Sequence, residues 1–129
     1  EESIQAIEDL YPFDALLGYS QGAMLSAVLN ARGLRGQGPV KVPTVVGSAA
    51  WPLPFEDLLE SLMKYDDAGF PRTLHTIGAE DDVNPPIMAM QVADCFGCNA
   101  TVLHHPGGHW IPMEPKFIET ISDFLNSSE

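Results

Sequence analysis

The passage that constrains this chain most runs from an apolar stretch, Phe13 to Leu17, through Gly18-Tyr19-Ser20-Gln21-Gly22 into a segment of helical periodicity. An apolar run without polar alternation suits a strand buried on both faces of a parallel sheet. Beyond the glycines, Met24, Leu25, Val28 and Leu29 share one face of a helix expected over Gln21 to Arg32, with Gly33 before Leu34 as its Schellman-type stop. A serine between glycines where a strand turns directly into a helix is the G-x-S-x-G pattern of a nucleophile on a strained turn. A β-carbon at either flank is expected to collide with neighbouring backbone, hence the two glycines. The strain lifts the Ser20 hydroxyl clear of the sheet. It also sets the Gln21 backbone N–H at a helix N-terminus, aimed where an oxyanion would develop.

The remaining elements repeat the alternation. Ile4, Ile7 and Leu10 mark a helix over Glu1 to Leu10 that Pro12 stops. Gly33 to Pro39 reads as a loop, Val42 to Gly47 as a second buried strand, Arg72 to Ile77 as a third and Thr101 to His104 as a fourth. Trp51 to Pro71 is a proline-bounded insertion whose helical middle carries Leu58, Leu59, Leu62 and Met63 on one face, a segment that could serve as a lid. Asn84-Pro85-Pro86 opens a helix running to about Phe96, and Pro115 opens a last one with Phe117, Ile118, Ile121, Phe124 and Leu125 on its apolar face. Strand and helix in alternation predict a parallel sheet covered by helices on both faces, with chemistry outside the carboxyl ends of the strands.

Composition bounds the function classes. At 129 residues and 45% apolar, one domain over residues 1 to 129 is expected, and because the first residue is already in helical sequence the chain is expected to begin inside a fold. A net charge of −12 repels phosphate backbones and anionic lipid, which argues against nucleic-acid and membrane-surface partners. No apolar run is long enough for a membrane span and no signal-peptide pattern opens the chain. Cys95 and Cys98 form a C-x-x-C without the second ligand pair a zinc site needs, so two reduced thiols are the simpler reading, and they lean towards a cytoplasmic location.

An activated serine needs a base and an orienting carboxylate later in the chain. The third strand is followed by Glu80, Asp81 and Asp82, the fourth by Pro106-Gly107-Gly108-His109. His75 lies inside a strand and reads as a packed residue. His104 and His105 end a strand, whereas His109 sits on a Gly-Gly loop at the correct sheet edge and is the expected base. Spacing does not separate the three carboxylates, and a cation site built from them lacks a second ligand set.

Gly18-Tyr19-Ser20-Gln21-Gly22-Ala23, His75-Thr76-Ile77-Gly78-Ala79-Glu80-Asp81 and His105-Pro106-Gly107-Gly108-His109-Trp110-Ile111-Pro112 together resemble the serine hydrolase (FSH-type) family of α/β-hydrolases over nearly the whole chain. The closing motif is the most specific of the three. The Gly-aromatic-Ser-Gln-Gly element is similar to that of acyl-protein thioesterases and carboxylesterases. The resemblance implies a three-layer, parallel-sheet α/β-hydrolase fold, a triad of Ser20, His109 and Asp81, acyl transfer from a small-molecule ester or thioester to water, and neither metal nor cofactor. It also implies a departure. Family members begin with a strand and a histidine-glycine loop that supplies a second oxyanion N–H, and neither precedes Glu1. The fold is therefore expected to lack its N-terminal strands, and the nucleophile strand to form an apolar edge open to pairing. Two functions are compatible with this: an ester hydrolase, or thioesterase of the same superfamily, and a non-catalytic remnant acting as an interaction module. Trp51, Leu53, Trp110 and Met113 are candidate pocket residues.

Overall fold

The computed structural model describes residues 2–126, in which strands and helices alternate. The strands are β1 (Leu16–Tyr19), β2 (Thr44–Gly47), β3 (Thr73–Gly78) and β4 (Ala100–His105), and the helices α1 (Glu2–Glu8), α2 (Gln21–Leu34), α3 (Glu56–Ser61), α4 (Pro86–Cys95) and α5 (Pro115–Asn126). The sheet order is β1-β2-β3-β4 with every pair parallel. Leu16 stands beside Thr44, Thr44 beside Thr73 and Thr73 beside Ala100, so all four strands enter in step and deliver their following loops to one edge.

Consecutive strand residues point to opposite faces, and the core divides accordingly. Val46 faces the larger cluster, built with Ala27, Leu29, Leu59, Leu62 and Phe96 from the helix layer. Val45 and Leu74 face the other side, where Ile121 of α5 covers them with Leu103, Ile111, Phe124 and Leu125 around it. The central strands β2 and β3 are buried along their whole length. Asn30, fully buried in α2, ties the layers: its Nδ2 donates to Thr44 Oγ1 at 2.8 Å and its Oδ1 accepts from the Val42 N–H at 2.9 Å. β1 lies at an edge of the sheet, as the family resemblance implied, and its apolar run is not buried on both faces, since Leu17 is 51% exposed.

Several boundaries differ from the sequence expectation. β1 begins at Leu16 rather than Phe13, because pairing starts where the Leu16 N–H reaches Pro43 O at 3.0 Å, and Phe13 instead packs edge-on against Tyr11. The helix expected from Glu1 to Leu10 spans Glu2–Glu8, Glu1 itself lying outside the described residues. Gly33 does not stop α2. It lies inside the helix, where a β-carbon would sit 1.8 Å from Val40 O, so it permits a close crossing. The Schellman end comes three residues later: Gly36 takes φ +76°, its N–H reaches Gly33 O at 3.2 Å, and the Gln37 N–H reaches Arg32 O at 2.7 Å. The candidate lid is anchored rather than free, since Leu59 and Leu62 are completely buried in the main core, while Met63 of the same expected face is exposed.

Candidate active site

Ser20 closes β1 and caps α2 in a conformation few non-glycine residues adopt, φ 58° and ψ −113°. Backbone bonds hold it there. Its N–H donates to Gly47 O at 2.8 Å, and its carbonyl accepts from the Ala23 and Met24 N–H groups at 3.0 and 3.1 Å. Gly18 is required for space, because a β-carbon there would lie 2.3 Å from Gly22 O. Gly22 is not: a β-carbon on it would meet nothing within 4 Å, which corrects the expectation that both flanks are crowded. Gln21 is exposed as the first residue of α2, where helix geometry leaves the backbone N–H without an intrahelical acceptor.

The histidine and the carboxylate arrive from the two loops beyond. Ser20 Oγ lies 2.8 Å from His109 Nε2, and His109 Nδ1 lies 2.9 Å from Asp81 Oδ2. An ionised carboxylate only accepts, so Nδ1 carries the proton towards Asp81 and Nε2 presents its lone pair to the serine hydroxyl. The second carboxylate oxygen is also occupied: Asp81 Oδ1 accepts from the Val83 and Asn84 N–H groups at 3.0 and 2.8 Å. Desolvation of Asp81 raises its pKa, but the bonds from His109, Asn84 and Val83 and the attraction to His109 outweigh it and leave the pKa below the ordinary 3.8. Glu80 and Asp82 are exposed while Asp81 is buried, which separates three neighbours that spacing alone could not.

The loops meet because glycines let them. A β-carbon on Gly78 would lie 2.4 Å from Gly108 O, and one on Gly107 would lie 2.5 Å from the Trp110 ring. Tyr19 Oη donates to the His109 carbonyl, with the two rings 5.2 Å apart, and Asn84 Nδ2 donates to Ser48 O at 2.8 Å. Neither Tyr19 nor Asn84 stands out in the sequence. Each acts across a long stretch of chain, and the signal available for Tyr19 is its place inside the serine motif.

The other candidates lie elsewhere. His75 is buried in β3 with Nε2 2.8 Å from Thr73 Oγ1, and burial pushes its pKa down to about 4. His104 is exposed. Cys95 is buried and Cys98 exposed, both unbridged. Burial, then Glu60 and Asp94, push the Cys95 thiol up to about 11, while the hydrogen bond to Asp67 leads in raising Cys98, so neither is a ready thiolate at neutral pH. The four candidate pocket residues do not line one cavity. Met113 borders a groove of about 390 Å³ with Leu17, Ile118 and Leu125, Leu53 borders a separate hollow of about 160 Å³, Trp51 packs on the main core and Trp110 lies over Gly107. Among the described residues, no helix is long and apolar enough to cross a membrane.

Residues 2–121 match the model of the family described as serine hydrolase (FSH1). Esterase OVCA2 of Mus musculus is 36% identical over 129 residues, covering 98% of this chain and 54% of its own length. Esterase C25G4.2 of Caenorhabditis elegans is 31% identical, covering 97% of this chain and 58% of its own length. The chain thus spans about half the length of the curated relatives it matches. Among solved structures, a "predicted CIB-like hydrolase" from Thermoplasma acidophilum superposes with a TM-score of 0.71 at 20% identity, over 95% of this chain and 57% of that one. A monoacylglycerol lipase from Paleococcus ferrophilus superposes with a TM-score of 0.67 at 15% identity, over 96% of this chain and 74% of that one. These likenesses show the α/β-hydrolase fold, of which the four parallel strands form a part.

Proposed function

The chain belongs to the serine hydrolase (FSH1) family, and from that membership we propose that it carries the Ser20, His109 and Asp81 triad of an enzyme that hydrolyses carboxylic esters. The observation that supports the reading is the unbroken line of hydrogen bonds from Ser20 Oγ through both ring nitrogens of His109 to Asp81. In the reaction, Ser20 Oγ attacks the ester carbonyl as His109 Nε2 takes its proton, giving a tetrahedral oxyanion that the Gln21 N–H stabilises. Collapse breaks the bond to the alkoxy group, which leaves with the proton from His109 as an alcohol. The acyl group then sits on Ser20. Water attacks it with His109 again as base, and the carboxylic acid departs with the serine hydroxyl restored. Asp81 stays ionised throughout, holding the ring and balancing the imidazolium.

The FSH1 relatives named esterases favour an oxygen ester over a thioester as the substrate class. The test is intact-mass labelling of the folded chain with a fluorophosphonate beside Ser20→Ala, because that reagent requires an activated serine and no knowledge of the substrate. One adduct, lost in Ser20→Ala, is the expected result. A folded chain that takes up no reagent would favour the non-catalytic reading.

A further inference from the structure

His105 is the last residue of β4, and it is almost wholly buried although the triad does not use it. Its Nδ1 accepts the Gly107 N–H at 3.2 Å. The same Gly107 presents its carbonyl to the Glu80 N–H at 2.9 Å, and the His105 carbonyl accepts the Ala79 N–H at 2.9 Å. The peptides around Gly107 are therefore gripped from two sides, by the His105 ring beneath and by the loop that carries Asp81. His109 lies two residues beyond Gly107, and Asp81 one residue beyond Glu80.

We propose that His105 is a positioning residue for the proposed ester hydrolysis: its neutral imidazole, accepting at Nδ1, fixes the Gly107 turn so that His109 meets both Ser20 and Asp81. The inference rests on that reading of the triad for its consequence in rate, but not for its geometry. The ring is wedged beneath the site. Its Cε1 is 3.0 Å from where a β-carbon on Gly78 would stand, and the Phe117 ring of α5 meets it edge-on with centroids 6.2 Å apart. Burial lowers the His105 pKa against the opposing pull of Glu114 and Asp81, which keeps the Nδ1 lone pair free to accept at neutral pH.

The tautomer this requires puts the ring proton on Nε2, a buried atom with no hydrogen-bond partner among the described residues. An aliphatic side chain would fill the space without that desolvated polar atom. What it would lack is the acceptor for Gly107. A side-chain acceptor that takes the N–H two residues on is the geometry of an Asx turn, so asparagine can replace the acceptor without the ring.

The experiment compares the native chain, His105→Asn and His105→Leu by histidine nitrogen NMR and by fluorophosphonate labelling. The native His105 should show an unprotonated Nδ1 and a protonated Nε2. The low-field proton of the His109 Nδ1–H held by Asp81 should persist in His105→Asn and be lost in His105→Leu. Labelling should fall about tenfold in His105→Leu and stay within about threefold in His105→Asn, as expected for one hydrogen bond that aligns the base. A proton on Nδ1 of His105 overturns the proposal, and so does a His105→Leu chain that keeps the His109 resonance. Equal losses in both variants overturn it too, since they would mark a role in packing alone. If the native chain takes no label, the triad reading fails, while the tautomer and the His109 resonance still decide the positioning role.

Discussion

Folding commits His75 to remain neutral inside β3, and that carries a pH-dependent cost. His75 is 1% exposed, its ring is bonded among the described residues only through Nε2 to Thr73 Oγ1, with Nδ1 left unpartnered there, and burial drops its pKa from 6.5 to about 4. In the unfolded chain the ring takes up a proton as pH falls through about 6.5, whereas in the folded chain it does so only near 4. Between those values the unfolded state binds more protons, so stability is fully present above the upper one and drains away as the solution is acidified. At roughly 1.4 kcal/mol per pH unit, the full window is worth about 3 kcal/mol and the fall to about pH 5 is worth about 2 kcal/mol. Urea unfolding at about pH 7.5 and about pH 5, on the native chain and on His75→Leu, isolates this contribution. Carboxylates, the −12 net charge and His105 titrate alike in both proteins and cancel in the difference. His75→Leu should be less sensitive to acid by about 2 kcal/mol across that interval, whatever its stability at the higher pH. Equal losses in the two proteins would refute the reasoning, because they would mean that His75 can take a proton in place.

The glycines of the serine turn should behave differently on substitution to alanine. Gly18→Ala forces a β-carbon into the Gly22 carbonyl and should cost about 1–3 kcal/mol or more in urea unfolding, whereas Gly22→Ala should stay within about 0.5 kcal/mol. Asp81→Asn keeps the shape of the side chain but loses the charge that orients His109, and fluorophosphonate labelling should slow by on the order of 10³- to 10⁴-fold without a matching loss of fold. Asn30→Leu strands the buried Val42 N–H and removes the donor to the Thr44 hydroxyl, which keeps its own bond to Val42 O, and chemical unfolding should show a loss of about 2–3 kcal/mol; a neutral result would mean that α2 and β2 do not depend on this tie. Tyr19→Phe deletes the bond to the His109 carbonyl and should slow labelling by about tenfold or less, with the pH profile of the reaction as the check.

Legibility in the sequence depends on the range of the interactions involved. Val45 and Val46 lie in a β-branched run whose two sides are both buried, so the strand declares itself locally. The G-x-S-x-G turn and the Gly107-Gly108-His109 loop are likewise local, because the atoms a β-carbon would meet at Gly18 and Gly107 belong to Gly22 and Trp110, a few residues on in the same segment. Gly33 and Gly36 cannot be told apart by spacing: one admits Val40 and the other takes positive φ, and which does which depends on how the loop to β2 crosses α2. The carboxylate is harder still. Glu80, Asp81 and Asp82 share a loop and a charge, and the resemblance to a family, rather than any spacing rule, favours Asp81. The physical reason is visible only once the loop has folded: one oxygen of Asp81 gathers the Val83 and Asn84 N–H groups, which turns the other towards His109. His105 reads as a poor base for sitting at a strand end without glycines to bring it to the nucleophile. The same placement suits it to a different use, since a buried ring at the end of β4 can hold the turn of the next loop from beneath. The residue types of the proposed triad can be found by pattern because the proposed chemistry demands them; the groups that aim them answer only to geometry, and a single sequence records that geometry weakly.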